Sequence, residues 1–319
     1  MKLLVTGGAG FIGANFIHYW FKNHPNDKII NFDKLTYAAD LSNLKEFEEN
    51  PNYSFVKGDV TDKEAVKKAV SDVDVIVNFA AESHVDNSIN DSSNFVKSNV
   101  VGVHTLLEVV REKKIRFHQV STDEVYGSLP LNSKKKFNEN SKYAPKNPYS
   151  ATKAAADHLV NAYFNTYKLP VTISNCSNNY GPFQHPEKLI PKTIINALKD
   201  KPIPIYGNGM QVRDWIYVDD HCSAIEKIIQ KGMYGQTYLI GVNGERHNID
   251  VVKKILKILG KSEKLIKFVE DRKGHDVRYA IDASKIKKEL QWRPKTKFEE
   301  GIKNTVQFYV DNINKYKEY

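Results

Sequence analysis

Met1-Lys-Leu-Leu-Val-Thr-Gly-Gly-Ala-Gly-Phe-Ile-Gly13 opens the chain and decides its fold. Leu3, Leu4 and Val5 make the apolar run of a buried parallel strand, and the run stops at Gly7 and Gly8. Gly7, Gly10 and Gly13 then recur at every third position. That spacing permits a tight turn, a close backbone approach to a pyrophosphate, and close packing of the next helix on the strand. The amides and dipole at the helix start complete an anion site. Ile29-Ile-Asn-Phe-Asp33 reads as a second strand ending in an acid about 20 residues after the glycines, where a carboxylate accepts hydrogen bonds from an adenosine ribose. Asp33 favours NAD, because it repels the extra phosphate of NADP.

The alternation continues. A third strand, Tyr53–Asp59, leads into Val60, and a fourth, Val73–Ala80, runs into Ala81. Asp59 is placed to reach an adenine amino group, and Ala80 with Ala81 to line the groove, although Asp59 taken alone reads equally well as a loop carboxylate. Two more strands follow at Arg116–Ser121 and Pro170–Asn175, with long helices predicted over 94–112 and 149–168. The pattern predicts an α/β fold, a Rossmann-type doubly wound parallel sheet. Beyond Asn178, Pro182, Pro186, Pro191, Pro202, Pro204, Gly207 and Gly209 break the chain into shorter elements, as in a second, smaller α/β lobe for substrate. The predicted boundaries are 1–178 for the dinucleotide domain, with a return segment near 213–240, and 179–212 plus 241–319 for the substrate domain.

Composition excludes several classes. The 319 residues are 41% hydrophobic, enough for a large core, and no apolar run approaches the roughly 18 residues of a membrane span. No charged, apolar leader is visible at the N-terminus, and a cytoplasmic location is expected. Cys176 and Cys222 are too few for a disulfide framework and lack metal-type spacing, so two reduced thiols and no metal are expected. The net charge of +9 comes from lysines scattered along the chain, with seven arginines, which describes a solvated surface rather than a nucleic-acid groove.

Tyr149-Ser-Ala-Thr-Lys153 sets a phenol and an ammonium four residues apart, on one side of a helix that begins near Pro148. A tyrosine is a poor base at neutral pH, but a fixed cation and a nicotinamide positive charge favour its phenolate. Tyr149 can then take a proton from a sugar hydroxyl while hydride leaves for NAD. The string Ser121-Thr-Asp-Glu-Val-Tyr-Gly127 adds Thr122, Asp123 and Glu124. Adjacent acids at this place serve as cap and first-turn acids of a short helix, or suit an elimination, in which one group removes a proton from carbon and another protonates a departing hydroxyl.

With its glycines, Thr122, Tyr149 and Lys153, the chain resembles the extended short-chain dehydrogenase/reductase family. Ser-Thr-Asp-Glu-Val-Tyr-Gly resembles the dTDP-glucose 4,6-dehydratases within it, and the similarity extends over nearly the whole chain. It is supported by Ala80-Ala-Glu-Ser-His-Val-Asp86, Asn175-Cys-Ser-Asn-Asn-Tyr-Gly-Pro182, Pro186-Glu-Lys-Leu-Ile-Pro191, Arg213-Asp-Trp-Ile-Tyr-Val-Asp-Asp-His221 and Asp271-Arg-Lys-Gly-His-Asp-Val-Arg278. The resemblance implies a catalytic set of Thr122, Asp123, Glu124, Tyr149 and Lys153. Glu124 would be the base at sugar carbon 5 and Asp123 the acid at carbon 6. It implies tightly bound NAD, held by Gly7, Gly10, Phe11, Ile12, Gly13, Asp33, Lys34, Leu35, Thr36, Asp59, Val60, Phe79, Ala80, Ala81, Ser83, Ser98 and Asn179 together with Tyr149 and Lys153. The nucleotide sugar would meet Ser83, Thr122, Asn178, Lys188, Leu189, Arg213, Asn248, Asp271 and His275, with Pro204, Ile205 and Tyr206 against the base. Chemically, Arg213 offers a forked, permanent charge to a pyrophosphate, against an internal salt bridge with Asp214 or Asp219. His84, Trp215 and Cys176 read as packing residues.

Two departures stand out. Family members carry arginine where this chain has Asn87, and the loop between Gly127 and Tyr149 is short, with Lys134-Lys-Lys136 in it. Such loops can cover an active site. The helices 94–112 and 149–168 are similar to those that pair across a homodimer as a four-helix bundle. The expected reaction makes a 4-keto-6-deoxy sugar, a rhamnose precursor, without net redox change. A UDP-sugar dehydratase differs only at a few base contacts, a nucleotide-sugar 4-epimerase has no need of Asp123 and Glu124, and a non-catalytic NAD-sensing scaffold would lack the proton-transfer groups.

Overall fold

The computed structural model describes residues 1–319. Seven parallel strands form the main sheet: β1 (Lys2–Thr6), β2 (Lys28–Asp33), β3 (Tyr53–Lys57), β4 (Val75–Asn78), β5 (Arg116–Thr122), β6 (Val171–Cys176) and, arriving later in the chain, β10 (Thr237–Ile240). Their order across the sheet is β10-β6-β5-β4-β1-β2-β3. The order reverses between β1 and β4, the switch point where doubly wound sheets bind ligands at their strand C-termini. Register brings Thr6 level with Asn78, and Thr122 level with Cys176. One rim therefore collects Thr6, Asp33, Asn78, Thr122 and Cys176.

Side chains alternate between the two faces with the strand period of two. Leu4 and Ile76 point to a core under α2 (Lys63–Ala69), α5 (Gly102–Lys113) and α6 (Pro148–Tyr167). Leu3, Val5, Val75 and Val77 point to the opposite core, under α1 (Phe11–Asn23) and α8 (Val218–Lys231). Both faces are covered, so these strands read as continuous apolar runs.

The third and fourth strands are shorter than predicted, ending at Lys57 and Asn78, so Asp59 and Ala80 stand in the loops that follow. The predicted helix over 94–112 is interrupted. α3 (Val85–Asn90) and the single turn α4 (Ser93–Phe95) precede a π-helical turn at Val96–Val101, and α5 follows it. The wide turn brings Asn99 inward, where it donates to Glu82 O at 3.0 Å and Thr152 Oγ1 at 3.0 Å and accepts from Glu82 N at 2.9 Å. A regular α-helix would point this amide elsewhere.

The second lobe is built on two small sheets. β7 (Asn178–Tyr180), β9 (Val212–Tyr217) and β11 (Glu245–His247) form one, and β8 (Ile203–Tyr206) with β12 (Ile266–Val269) the other. α7 (Leu189–Leu198), α9 (Asn248–Leu259) and α11 (Phe298–Asp311) pack around them. Between β9 and β11 the chain returns as α8, against α1, and as β10 beside β6; α10 (Ser284–Leu290) packs on both. Residues 128–147 do not form a free flap. Phe137 is buried and its N–H bonds Ala280 O, Leu129 N–H bonds Arg278 O, and Ala144 N–H bonds Val125 O.

Candidate active site

Glycine geometry shapes the cofactor end. Gly7 has φ +70°, and a Cβ there would lie 2.6 Å from Ala80 N; one on Gly13 would lie 2.3 Å from Gly7 O. Only glycine lets the turn, the β4 loop and α1 approach so closely. Gly10 is the N-cap of α1 and no side chain caps it, so its first-turn amides remain open to an anion. At the end of β2 the Asp33 carboxylate accepts from Ala9 N at 3.0 Å and Leu35 N at 2.7 Å. Burial raises its pKa, and these two bonds oppose the rise. An uncapped helix start, a cradle that Cβ atoms would fill and a preset carboxylate together fit an adenine dinucleotide.

A cavity of about 330 Å³ runs from this cradle to the end of β5. Gly7, Gly10, Phe11, Ile12, Gly13, Asp33, Lys34, Thr36, Asp59, Val60, Phe79, Ala80, Ala81, Ser83 and Ser98 line one part of it. Thr122, Glu124, Tyr149, Lys153, Asn178, Asn179 and Lys188 line the other. Leu35 is not on the wall; at φ +60° it contributes its N–H to Asp33 instead. Asp59 is paired with Lys34 at 2.8 Å and accepts from Thr61 N at 2.9 Å. Burial acts to raise its pKa, but those partners bring it below the ordinary carboxylate value.

The reactive end is assembled by β5 and α6. Asn147 and Ser150 close a capping box and Pro148 occupies the first turn, fixing where α6 begins and hence where Tyr149 stands. Lys153, one turn on, donates to Val120 O at 2.8 Å. The Tyr149 phenol is pushed well up by burial and by Glu124 and Cys176, with Thr122 pulling the other way. Burial thus works against the phenolate expected from the sequence, and a nicotinamide positive charge would work for it.

Asp123 and Glu124 occupy a short 3-10 turn, Asp123–Tyr126, capped by Thr122 Oγ1 on Glu124 N at 3.2 Å. The cap reading is therefore true of Thr122, and it sends the two carboxyls to different surroundings. Asp123 is 1% exposed with Oδ2 unpartnered, and burial followed by the charges of Glu124 and Asp214 raises its pKa well above normal. Glu124, at the cavity wall, is raised by burial but opposed by Arg213, Lys188 and Arg272. Both are raised, Asp123 the further, so of the two Asp123 is the better suited to hold a proton and Glu124 to give one up.

Arg213, Asn248, Asp271 and His275 lie outside that cavity lining, in the second lobe. Arg213 makes no ion pair with Asp214 or Asp219. Its guanidinium donates to Val212 O and Asp276 O, both at 2.9 Å, and stacks 4.3 Å from the Tyr279 ring centroid. Asp214 instead holds the 242–244 turn through Gly244 N at 2.7 Å and Val242 N at 3.2 Å. Asn248 begins α9 with a buried Oδ1 that has no partner. His275 bonds Asp271 at 2.6 Å and Gln211 at 3.2 Å. Leu189 is the first residue of α7, beside Lys188, whose Nζ donates to Ser83 O at 3.2 Å across the cleft. Around the expected base stretch, the Ile205 side chain faces the lobe's core with Val252 and Leu256, which leaves only its backbone for a base, while Pro204 and Tyr206 are the accessible side chains.

Several residues at the site went unnoticed in the sequence. Glu82, Gln184, His185 and Glu187 line the cavity. Asp86 grips Arg272 with two bonds, at 2.5 and 2.8 Å, and accepts from Tyr206 OH at 3.2 Å, joining the lobes at the cleft mouth. Both stand inside the quoted strings, but the pairing spans 186 residues and has no local signature. His84 caps α3 and faces Glu187 at 3.6 Å, while Trp215 packs against Tyr180. Cys176 is buried and its thiol is pushed up to about 12 by burial.

A family profile described as GDP-mannose 4,6 dehydratase matches residues 4–305. A dTDP-glucose 4,6-dehydratase from Mycobacterium tuberculosis is 49% identical over 313 residues, 98% of this chain and 94% of that protein. The chain belongs to the dTDP-glucose 4,6-dehydratase family. Among solved members, the Bacillus anthracis dTDP-glucose 4,6-dehydratase in complex with NAD is 50% identical, with a TM-score of 0.93 over 98% of each chain. The Streptomyces venezuelae dTDP-glucose 4,6-dehydratase with NAD bound is 42% identical, with a TM-score of 0.96 over 100% of this chain and 99% of that one. Like other dTDP-glucose 4,6-dehydratases, the chain has the doubly wound sheet, and no helix in it is long and apolar enough to cross a membrane.

Proposed function

We propose that this chain is an NAD-dependent hydro-lyase that converts dTDP-glucose to dTDP-4-keto-6-deoxyglucose and water. The observation that carries the reading is the adjacent pair Asp123 and Glu124, whose surroundings separate their acidities beside Tyr149. When bound in the glycine cradle, NAD takes up a hydride from sugar carbon 4 and gives it back at carbon 6.

The chain's own groups move the protons. Tyr149 takes the proton of the carbon-4 hydroxyl, with Thr122 beside it and Lys153 supplying positive charge. The new ketone acidifies carbon 5. Glu124, raised by burial while Arg213, Lys188 and Arg272 favour its ionised form, removes the carbon-5 proton, while Asp123, whose protonated form burial favours, donates to the hydroxyl leaving carbon 6. Glu124 later returns its proton to carbon 5. Tyr149 ends one proton richer and Asp123 one poorer, so a proton passes between their sides of the site before the next turnover. Arg213, Arg272 and Lys188 offer three cations for the pyrophosphate.

Asp33, Thr36, Asp59 and Ser98 are read as cofactor contacts, and Asn178, Asn248, Asp271 and His275 as nucleotide-sugar contacts, on their matching places in the family pattern. The division into a 1–178 domain with a 213–240 return and a 179–212 plus 241–319 domain follows the same pattern. A homodimer is proposed through the outer faces of the 93–113 helical segment and α6, where Val96, Val101 and Tyr167 stand exposed beside each other's helices. The product class suits deoxysugar supply, rhamnose included, in the cytoplasm.

Incubation with dTDP-glucose and no added NAD should yield the 4-keto-6-deoxy sugar with its alkali-induced ultraviolet absorbance. No product, even with NAD supplied, overturns the reading; faster turnover of UDP-glucose in competition would replace the thymine nucleotide by uracil.

A further inference from the structure

Asp157 is a fully buried carboxylate that the reaction above does not use. It lies on α6 four residues beyond Lys153 and so on the same helix face. Three donors from three different segments converge on its Oδ2: Ser121 Oγ from β5 at 2.8 Å, Asn175 Nδ2 from β6 at 3.0 Å, and Tyr143 OH at 3.0 Å. Its Oδ1 is buried without a partner. Asn175 also donates to Thr122 O at 3.2 Å, tying the carboxylate to the strand end that carries Thr122.

A neutral amide oxygen would accept the same three bonds at lower desolvation cost, so the buried charge itself needs a reason. Lys153 provides one. Lys153 is 5% exposed, and its ammonium has a single protein acceptor, the Val120 carbonyl. A buried lysine so poorly served sheds its proton unless a negative charge stands near. Burial lowers the Lys153 pKa and raises that of Asp157; each charge opposes the shift of the other across more than ion-pair distance, and the three donors on Asp157 add to the pull toward its carboxylate.

We propose that Asp157 is a positioning residue for the carbon-4 oxidation: its carboxylate is the counter-charge that keeps Lys153 an ammonium beneath Tyr149, and its three bonds clamp α6 to β5 and β6. The proposal rests on the assignment of Tyr149 and Lys153 as the oxidation couple. The groups facing Lys153 and Asp157 are Tyr149 on α6; Ser121 and Thr122 on β5; Asn175 and Cys176 on β6; and Tyr126 and Tyr143 from 123–147.

The test uses the NAD-loaded protein and dTDP-6-deoxyglucose, which has a carbon-4 hydroxyl but none at carbon 6. Its reaction stops at the reduced cofactor and bypasses Asp123 and Glu124. Asp157→Asn keeps an acceptor oxygen and removes the charge. Its alkaline limb in the oxidation-rate profile should move about one pH unit lower, roughly tenfold in rate above the limb. A folded Asp157→Asn with an unmoved alkaline limb overturns the proposal. Should that variant not fold, NMR titration of the isotope-labelled Lys153 amine in the unmodified protein decides the matter. Retention of the proton through the working range supports the counter-charge, and loss within that range overturns it. Undiminished oxidation by Tyr149→Phe would instead remove the couple itself, a separable result.

Discussion

Substituting the glycines one at a time separates their two duties, folding and phosphate binding. A methyl group on Gly13 would lie 2.3 Å from Gly7 O and 2.8 Å from Gly8 Cα, both backbone atoms, so the first contact is about 1.1 Å short of ordinary separation. Neither neighbour can rotate away. The turn and α1 must part, at the roughly 1–3 kcal/mol typical of overpacking. At about 2–4 °C per kcal/mol, Gly13→Ala should lower the unfolding temperature by roughly 2–12 °C. A methyl on Gly10 meets only Gly7 O at 3.3 Å, and its φ of −83° suits alanine. Gly10→Ala should therefore unfold within a few degrees of wild type, at a cost below about 1 kcal/mol. Yet its methyl enters the cavity at the helix start, where a pyrophosphate would approach, so NAD affinity should fall at least about tenfold, or about 1.4 kcal/mol. Thermal unfolding of cofactor-stripped protein, paired with NAD titration, reads both quantities. Wild-type stability in Gly13→Ala, or wild-type NAD affinity in Gly10→Ala, would refute the reasoning.

Asp123→Asn should slow dehydration by about 10²–10⁴ while oxidation of dTDP-6-deoxyglucose proceeds, because only the elimination needs a donated proton; full dehydration by the variant would remove Asp123 as the acid. Asp33→Asn should weaken NAD by roughly tenfold and narrow the preference over NADP, read by titration with each, since the carboxylate is already held by Ala9 and Leu35 amides. Burial raises the Asp214 pKa to about 6, opposed by the Gly244 and Val242 amides. With an unfolded value near 3.9, its contribution is fully present below about pH 4 and is lost as pH rises through 6. Relative to Asp214→Asn, the wild type should lose about 3 kcal/mol across that window, measured by denaturant midpoints at each pH.

The fold was legible wherever a segment carries its own reason. The β1 apolar run, the glycine spacing and the Pro148 start of α6 are local devices, and each strand of the large sheet was foreseen to within a few residues apart from β10, which lay inside the anticipated return segment without being named as a strand. The π-helical turn at Val96–Val101 was not legible, because its cause is Asn99 bonding Glu82 and Thr152, one of them 53 residues away. Thr122, Glu124, Tyr149 and Lys153 do meet at one cavity. What escaped were partners defined only by folding: the grip of Asp86 on Arg272, the carbonyl bonds that hold Arg213 where an ion pair with Asp214 or Asp219 had been the alternative, and the convergence on Asp157. The inward side chain of Ile205 has a simpler reason. On a strand its neighbours Pro204 and Tyr206 face one way and it must face the other.

The late arrival of β10 has a consequence for synthesis of the chain. The main sheet cannot be completed when β6 emerges, because its neighbour at Thr237–Ile240 lies 64 residues beyond Cys176, past β7, β8 and β9. At about 5–20 residues per second, the ribosome leaves the β6 edge unpaired for roughly 3–13 s. During that interval a strand of Val171, Ile173 and their neighbours presents open backbone groups to any other nascent chain. Splitting the gene after residue 178 would make that exposure permanent, and the amino-terminal fragment should be prone to aggregation.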